Sequence, residues 1–281
     1  MKLGLINSAW FGSAVGTEQG IRLTKKIGFD AIDIFADPLE IDSRERRLIR
    51  DTCQDCALPV SSAVCVALGI SDFNKSVRDF HVDRARRHLD LAYELEARNL
   101  LLVLGEYIWQ QEVIQPRDQW AWAVESVRAL AAHAALLQLE IAIELEPFRL
   151  SLINDLQSMV RFLDDVSCPE VKANIDISHL ALSHTAAADL ANVRGRIAHV
   201  HLSDCDGKKH GDLPPGRGVV NFVPYLQAIN DTGFDGTISI ELEYSPEPAK
   251  IVEWIAEAYR ETDRLMTSLD IRNCRLQKGV L

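Results

Sequence analysis

Apolar positions along the chain fall into short runs separated by longer amphipathic stretches, and the alternation repeats eight times. Residues 2–6, 31–35, 60–66, 99–104, 140–144, 171–176, 197–202 and 237–241 read as strands. Between them, a 3.6-residue spacing predicts helices over 17–27, 43–56, 76–96, 118–137, 155–165, 185–193 and 222–230, with a last one over 248–269. Thr17, Ser43, Ser76 and Asp118 are placed as N-caps, and Gly28 or Gly233 as a helix stop. No Pro-, Gly- or Ser-rich linker divides the units. Residues 1–281 are therefore expected to form one α/β domain, a single (β/α)8 TIM barrel. A doubly wound sheet is the alternative, but its Gly-rich turn after the first strand is not matched by Asn7-Ser8-Ala9-Trp10-Phe11-Gly12.

The later runs share a design. Glu140-Ile141-Ala142-Ile143-Glu144 ends on Glu, and Val171-Lys172-Ala173-Asn174-Ile175-Asp176 ends on Asp with His179 three residues on. Ile197-Ala198-His199-Val200-His201 ends on His, and Gly236-Thr237-Ile238-Ser239-Ile240-Glu241 on Glu. A carboxylate at a buried strand tip costs free energy unless a cation or donors meet it. Strand alternation turns Ala142, Glu144, Glu146, Asn174, Asp176, His199, His201, Ser239, Glu241 and Glu243 toward the barrel axis. Active sites of this barrel lie at the C-terminal strand ends. Four such ends delivering Glu, Asp, His and Glu make a set that suits a hard or borderline divalent metal. His199 sits below His201 and reads as a layer residue bonded to a neighbour.

Two long connections mark the same face: residues 104–116 and 203–221. The first is expected to be an aromatic wall, with Trp10 and Trp109 lining the pocket, and the second to carry polar substrate contacts. His210, in the second, reads as solvated. Trp120 and Trp122 read as helix packing.

Charge narrows the partners. A formal net charge of −11 disfavours attraction to nucleic acid, and no apolar run approaches the roughly 20 residues of a membrane span. Met1-Lys2-Leu3-Gly4-Leu5-Ile6-Asn7 enters a strand directly and lacks the pattern of a signal peptide, so a cytoplasmic protein is expected. Of six cysteines, Cys53 and Cys56 form a lone CxxC on a helix and read as reduced thiols rather than a redox or zinc site.

In the order of its elements essentially the whole chain, and most specifically residues 140–243, resembles the sugar isomerase/epimerase superfamily built on the xylose-isomerase-like barrel, which includes ketose 3-epimerases, hydroxypyruvate isomerase and inosose dehydratase. The carrying motifs are Ile-Ala-Ile-Glu144 with Asn154 ten residues on, Asp176-Ile-Ser-His179, His199-Val-His201-Leu-Ser-Asp204, Pro215-Gly216-Arg217-Gly218, and Gly233-Phe-Asp-Gly236 leading to Glu241. The resemblance implies one divalent metal, manganese first and cobalt or magnesium as alternatives, on Glu144, Asp176, His201 and Glu241. It also implies Glu144 and Glu241 as the catalytic acid/base pair, His179 and Arg217 as substrate contacts, and a homo-oligomer, dimer or tetramer. Each glutamate has a neighbour two residues on, Glu146 and Glu243, where the family pattern differs. The step to Asn154 favours Glu144 as ligand and the count from Gly236 favours Glu241. Glu146, with Trp109, is assigned to the substrate.

Such a site removes a proton next to a carbonyl through a cis-enediolate, which makes the expected protein an isomerase or epimerase of a small carbohydrate or cyclitol. With a leaving hydroxyl beside the carbanion the same residues give an inosose- or dehydroshikimate-type dehydratase. An apurinic endonuclease would need further His ligands and a basic groove, yet strand 3 ends Ala63-Val64-Cys65-Val66-Ala67. A barrel kept as a binding subunit is the non-enzyme alternative.

Overall fold

Eight parallel strands pair in sequence order and β1 pairs with β8, so the sheet closes on itself without an edge. The strands of this computed structural model, which describes residues 1–109, 113–243 and 245–272, are β1 Lys2–Ile6, β2 Ala31–Phe35, β3 Val60–Val66 and β4 Asn99–Val103, then β5 Glu140–Ile143, β6 Val171–Asp176, β7 Ile197–Leu202 and β8 Thr237–Ile240. A helix follows each: α1 Thr17–Ile27, α2 Ser43–Asp55, α3 Lys75–Glu94, α4 Pro116–Leu137, α5 Leu156–Val166, α6 Ile177–Leu182, α7 Phe222–Asp231 and α8 Ile251–Ser268. This is the single (β/α)8 barrel that the eightfold alternation predicts.

Two layers follow from strand alternation. Ile141, Ile143, Ile175, Val200, Ile238 and Ile240 face outward, are at most 1% exposed, and join the apolar layer between strands and helices. Each such side chain contributes about 2 kcal/mol on burial. The inward positions differ around the ring. Ile6, Val64 and Leu101, with Phe35 and Val103 against them, form a separate apolar cluster inside the β1–β4 half. The β5–β8 half presents Glu144, Asn174, Asp176, His199, His201 and Ser239, all buried.

Four helix starts depart from the expected ones, and at two of them, Asp42 and Asn74, a rival side-chain oxygen takes the cap, whereas Gly16 and Gln115 cap without a side-chain bond. The N-caps are Gly16, Asp42, Asn74 and Gln115, not Thr17, Ser43, Ser76 and Asp118. Asp42 accepts from Arg44 N and Glu45 N, and Asn74 from Ser76 N, worth about 1 kcal/mol each. Gly28 closes α1 at φ 127°, a conformation open to glycine. The stretch expected as helix 185–193 is a 3-10 segment, Ala187–Val193; the helix after β6 starts earlier, at Ile177, immediately beyond Asp176. Cys53 is buried on α2 and Cys56 follows it, both free thiols; Cys274 lies outside the described residues.

Candidate active site

Strands β5 and β8 end one residue earlier than their sequence pattern, so Glu144 and Glu241 stand just past the strand tips. Their backbone still completes the ladder: Glu144 N donates to Leu102 O at 3.1 Å and Glu241 N to Leu202 O at 3.1 Å. Register places Asp176 beside His201 and Asn174 beside His199. The four ends converge as parity requires. Glu144, Asp176 and His201 each bring one ligand atom within 4.8 Å of the others, and Glu241 Oε2 lies 3.2 Å from His201 Nδ1.

Local hydrogen bonds orient each group. Asp176 Oδ1 caps α6, accepting from Ser178 N at 2.6 Å, Ser178 Oγ at 2.8 Å and His179 N at 3.1 Å. Its Oδ2 is buried and makes no hydrogen bond among the described residues. Asn174 Nδ2 donates to Glu144 Oε2 at 2.6 Å, leaving Oε1 in the same condition. His179 Nδ1 donates to Leu145 O at 2.6 Å, so its Nε2 carries a lone pair, 3.7 Å from Asp176 Oδ2. Two acceptors facing each other in a buried site call for a proton donor or a cation between them.

The electrostatics agree. Burial lifts the Glu144 and Glu241 carboxyls well above the ordinary 4.5, against the pull of His201. Burial lowers His201, but Glu241 and Asp33 outweigh it and hold that imidazole well above 6.5. Burial would raise Asp176, yet His179 and its other neighbours keep it below the carboxylate range. Burial takes His179 down to about 4 and pushes Glu146 up to about 7. Free, buried carboxylate and imidazole atoms at ligand spacing fit a divalent ion.

Other expected site residues lie elsewhere. The Arg217 guanidinium makes a two-bond pair with Glu257, at 2.8 and 2.6 Å, and stacks over Trp254 at 4.4 Å, so it is engaged outside the cluster. Trp109 is 51% exposed and stacks on Phe73 at 5.5 Å, while Trp10 is buried against Gly20; neither lines the pocket. Residues 110–112 of that connection lie outside the described residues. Trp120 packs on Phe162, as expected of helix packing. Glu146 and Glu243 do face the cavity.

His210 is a correction: instead of being solvated, it stacks on His179 at 4.6 Å, with Nε2 3.1 Å from Asp212 Oδ1. Asp204 causes this. Its Oδ1 accepts from Cys205 N and Val220 N and its Oδ2 from Gly216 N and Gly218 N, at 2.8–3.0 Å, folding the 203–221 loop back over the site. Asp212, buried and with its carboxyl pushed up to about 7 by burial, was missed because nothing in a loop's periodicity places it. Asp33 was missed too. A lone charge at an inward position of Ala31-Ile32-Asp33-Ile34-Phe35 was the available signal. It is fully buried, with Oδ2 2.8 Å from His199 Nε2, which makes His199 the bonded layer residue expected.

These groups floor a cavity of about 290 Å3. Glu144, Glu146, His179, His201, Glu241 and Glu243 line one side; Phe35, Val64, Val66, Leu101 and Val103 line the other. A larger open cleft of about 1130 Å3 runs outside the barrel along α5 and contains none of the cluster. No helix of the described residues is long and apolar enough to cross a membrane.

Comparison with known proteins places these features. The xylose isomerase-like TIM barrel family matches residues 21–262. A D-psicose 3-epimerase of Ruminiclostridium cellulolyticum is 27% identical over 232 residues, covering 79% of this chain and 76% of the relative. Among solved structures, the IolI protein with a bound zinc atom superposes with a TM-score of 0.83 at 17% identity, over 95% of this chain and 99% of that one. A 3-keto-D-glucoside 4-epimerase from E. coli gives 0.78 at 19% identity, over 92% and 99%. At these identities the structural likeness speaks for the fold.

Proposed function

Since the chain belongs to the xylose isomerase-like TIM barrel family, we propose that it is a divalent-metal-dependent isomerase or epimerase, moving a proton on carbon next to a carbonyl of a sugar, keto-polyol or cyclitol. The observation that carries this reading is the convergence of buried Glu144, Asp176 and His201, each offering one ligand atom within 4.8 Å of the others, with Glu241 alongside. These four residues would hold the metal, with manganese first as the family resemblance implies. A divalent ion held there would supply Lewis-acid polarisation of a substrate carbonyl and balance the charge left when a proton departs.

The chain's own groups do the rest. Glu144 and Glu241 reach the cavity from the ends of β5 and β8, and burial raises the proton affinity of both, as suits groups that take and return a proton. Asn174 Nδ2 holds Glu144 Oε2 and so orients the carboxyl in the cavity. His179 Nε2 accepts a substrate hydroxyl, because its Nδ1–H is committed to Leu145 O. Glu146, poised at about 7, can donate to or accept from a second hydroxyl. Arg217 is omitted, being engaged by Glu257. Return of the proton to the opposite face of the same carbon gives epimerisation, the activity named for the D-psicose relative; return to the neighbouring carbon gives an aldose–ketose shift.

The test is proton exchange by NMR in deuterated water with manganese-loaded protein and a panel of ketoses, 3-keto-glycosides and inososes. Deuterium is expected on carbon next to the carbonyl, at rates at least about 100-fold lower in Glu144→Gln and Glu241→Gln. The carbon labelled separates epimerase from isomerase, and loss of water identifies a dehydratase. Manganese binding without exchange on any of these substrates overturns the assignment.

A further inference from the structure

We propose that Asp33, on a strand that contributes no metal ligand, positions His201 for the cation. It fixes the ring so that the Nδ1 lone pair faces Glu144, Asp176 and Glu241. This rests on the metal site proposed above and assigns β2 a part in it. Asp33 acts through His201 and is a positioning residue.

The geometry leaves His201 one useful state. Its Nδ1 is 3.2 Å from Glu241 Oε2 and 4.0 Å from Glu144 Oε2, so this nitrogen faces the ligand set. To bind a cation it must offer its lone pair, which puts the ring proton on Nε2. The acceptor standing at Nε2, 3.4 Å away, is Asp33 Oδ2. The same oxygen lies 2.8 Å from His199 Nε2, and the two rings stand nearly perpendicular, 79°, with centroids 5.2 Å apart. Both imidazoles thus bring an Nε2 within 3.4 Å of one carboxylate oxygen: His199 is hydrogen-bonded to it, whereas His201 Nε2, like His201 Nδ1 and His199 Nδ1, makes no hydrogen bond among the described residues and would have to close on Asp33 when a cation takes Nδ1. A carboxylate behind a ligating imidazole fixes the tautomer and raises ligand basicity.

The backbone points the same way. The pairing of β2 with β3 shifts register between Ile32 and Asp33, an irregularity of the kind that re-aims a side chain. The bland alternative is that Asp33 merely neutralises His199. That alternative accounts for the 2.8 Å contact but not for the second imidazole nitrogen standing 3.4 Å from the same oxygen.

The two readings separate by manganese titration calorimetry on the chelator-stripped protein. Asp33→Asn keeps the volume and an acceptor oxygen but loses the charge, and is expected to weaken manganese binding about 10- to 100-fold. The metal-free melting midpoint and circular dichroism report whether the variant folds. The same loss is expected in a His199→Gln background, where nothing remains to neutralise. With cobalt at saturation, the visible absorption of Asp33→Asn should shift from that of the parent. Manganese affinity within twofold of the parent, or a loss that vanishes in the His199→Gln background, overturns the inference while leaving the metal site standing. A parent protein that takes up no manganese overturns both.

Discussion

His88 shows how one buried side chain sets a pH response away from the active site. It sits on the inner face of α3 at 1% exposure and donates from Nδ1 to Arg84 O at 3.0 Å. Burial lowers its pKa from 6.5; the bond to Arg84 O opposes this and the Arg84 charge adds to it. The folded protein therefore keeps His88 neutral where the unfolded chain takes a proton. Its contribution is fully present above about pH 6.5 and is lost as pH falls below that value, with a slope of at most about 1.4 kcal/mol per unit. Urea midpoints between pH 5 and 6.5 should fall less steeply in His88→Gln than in the parent; equal slopes would remove His88 as the cause. At this scale the sequence was most legible where alternation applied: strand parity put Glu144, Asp176, His201 and Glu241 among the inward positions, while the choice of Glu144 over Glu146 and of Glu241 over Glu243 needed the family resemblance. It was least legible for Asp33, whose meaning depends on two imidazoles 166 and 168 residues away, and for Asp212, whose position depends on the bonds of another loop residue.

That loop is the clearest case at the level of elements. The 203–221 connection has no regular structure of its own beyond a two-residue bridge, Asp204 to Leu213. It is shaped instead by four backbone amides converging on the Asp204 carboxylate. Its length and polarity announced a working loop, but the path, and with it the placement of His210, followed from this one hub. Gly218 belongs to the same hub, since a Cβ there would stand 2.2 Å from Cys205 O. Asp204→Asn replaces one acceptor oxygen by a donor that opposes amide N–H groups. It is expected to cost about 1–3 kcal/mol and to raise KM for whichever substrate the exchange panel identifies, with less effect on kcat. Unchanged stability and KM would separate the loop from the site. Helix caps erred for a related reason: Asp42 and Ser43, or Asn74 and Ser76, are rival oxygens within one turn, and only the folded backbone picks between them.

Across the whole molecule, strand order, closure and the working face were legible because eight repeated units leave few ways to bury their apolar faces. The charge of the interior has a thermodynamic counterpart. Ligand atoms from β5, β6 and β7 meet only in the folded ring, so a cation binding all of them stabilises the native state alone. Manganese at about 100 times its dissociation constant should add about 2.7 kcal/mol and raise the melting midpoint by roughly 5 °C, with chelator reversing the gain. A midpoint indifferent to manganese and to chelator would contradict the site. The cavity itself is divided, with carboxylates and imidazoles on one side and Phe35, Val64, Val66, Leu101 and Val103 on the other. For a ring-shaped guest this amounts to a stereofacial filter. One face of the guest exchanges hydration for ions, while the opposite face meets largely hydrocarbon, with Glu106 and Ser151 the further polar groups of the lining. Two sugars of equal size and formula would then be sorted by whether their hydroxyls gather on one face or are spread over both.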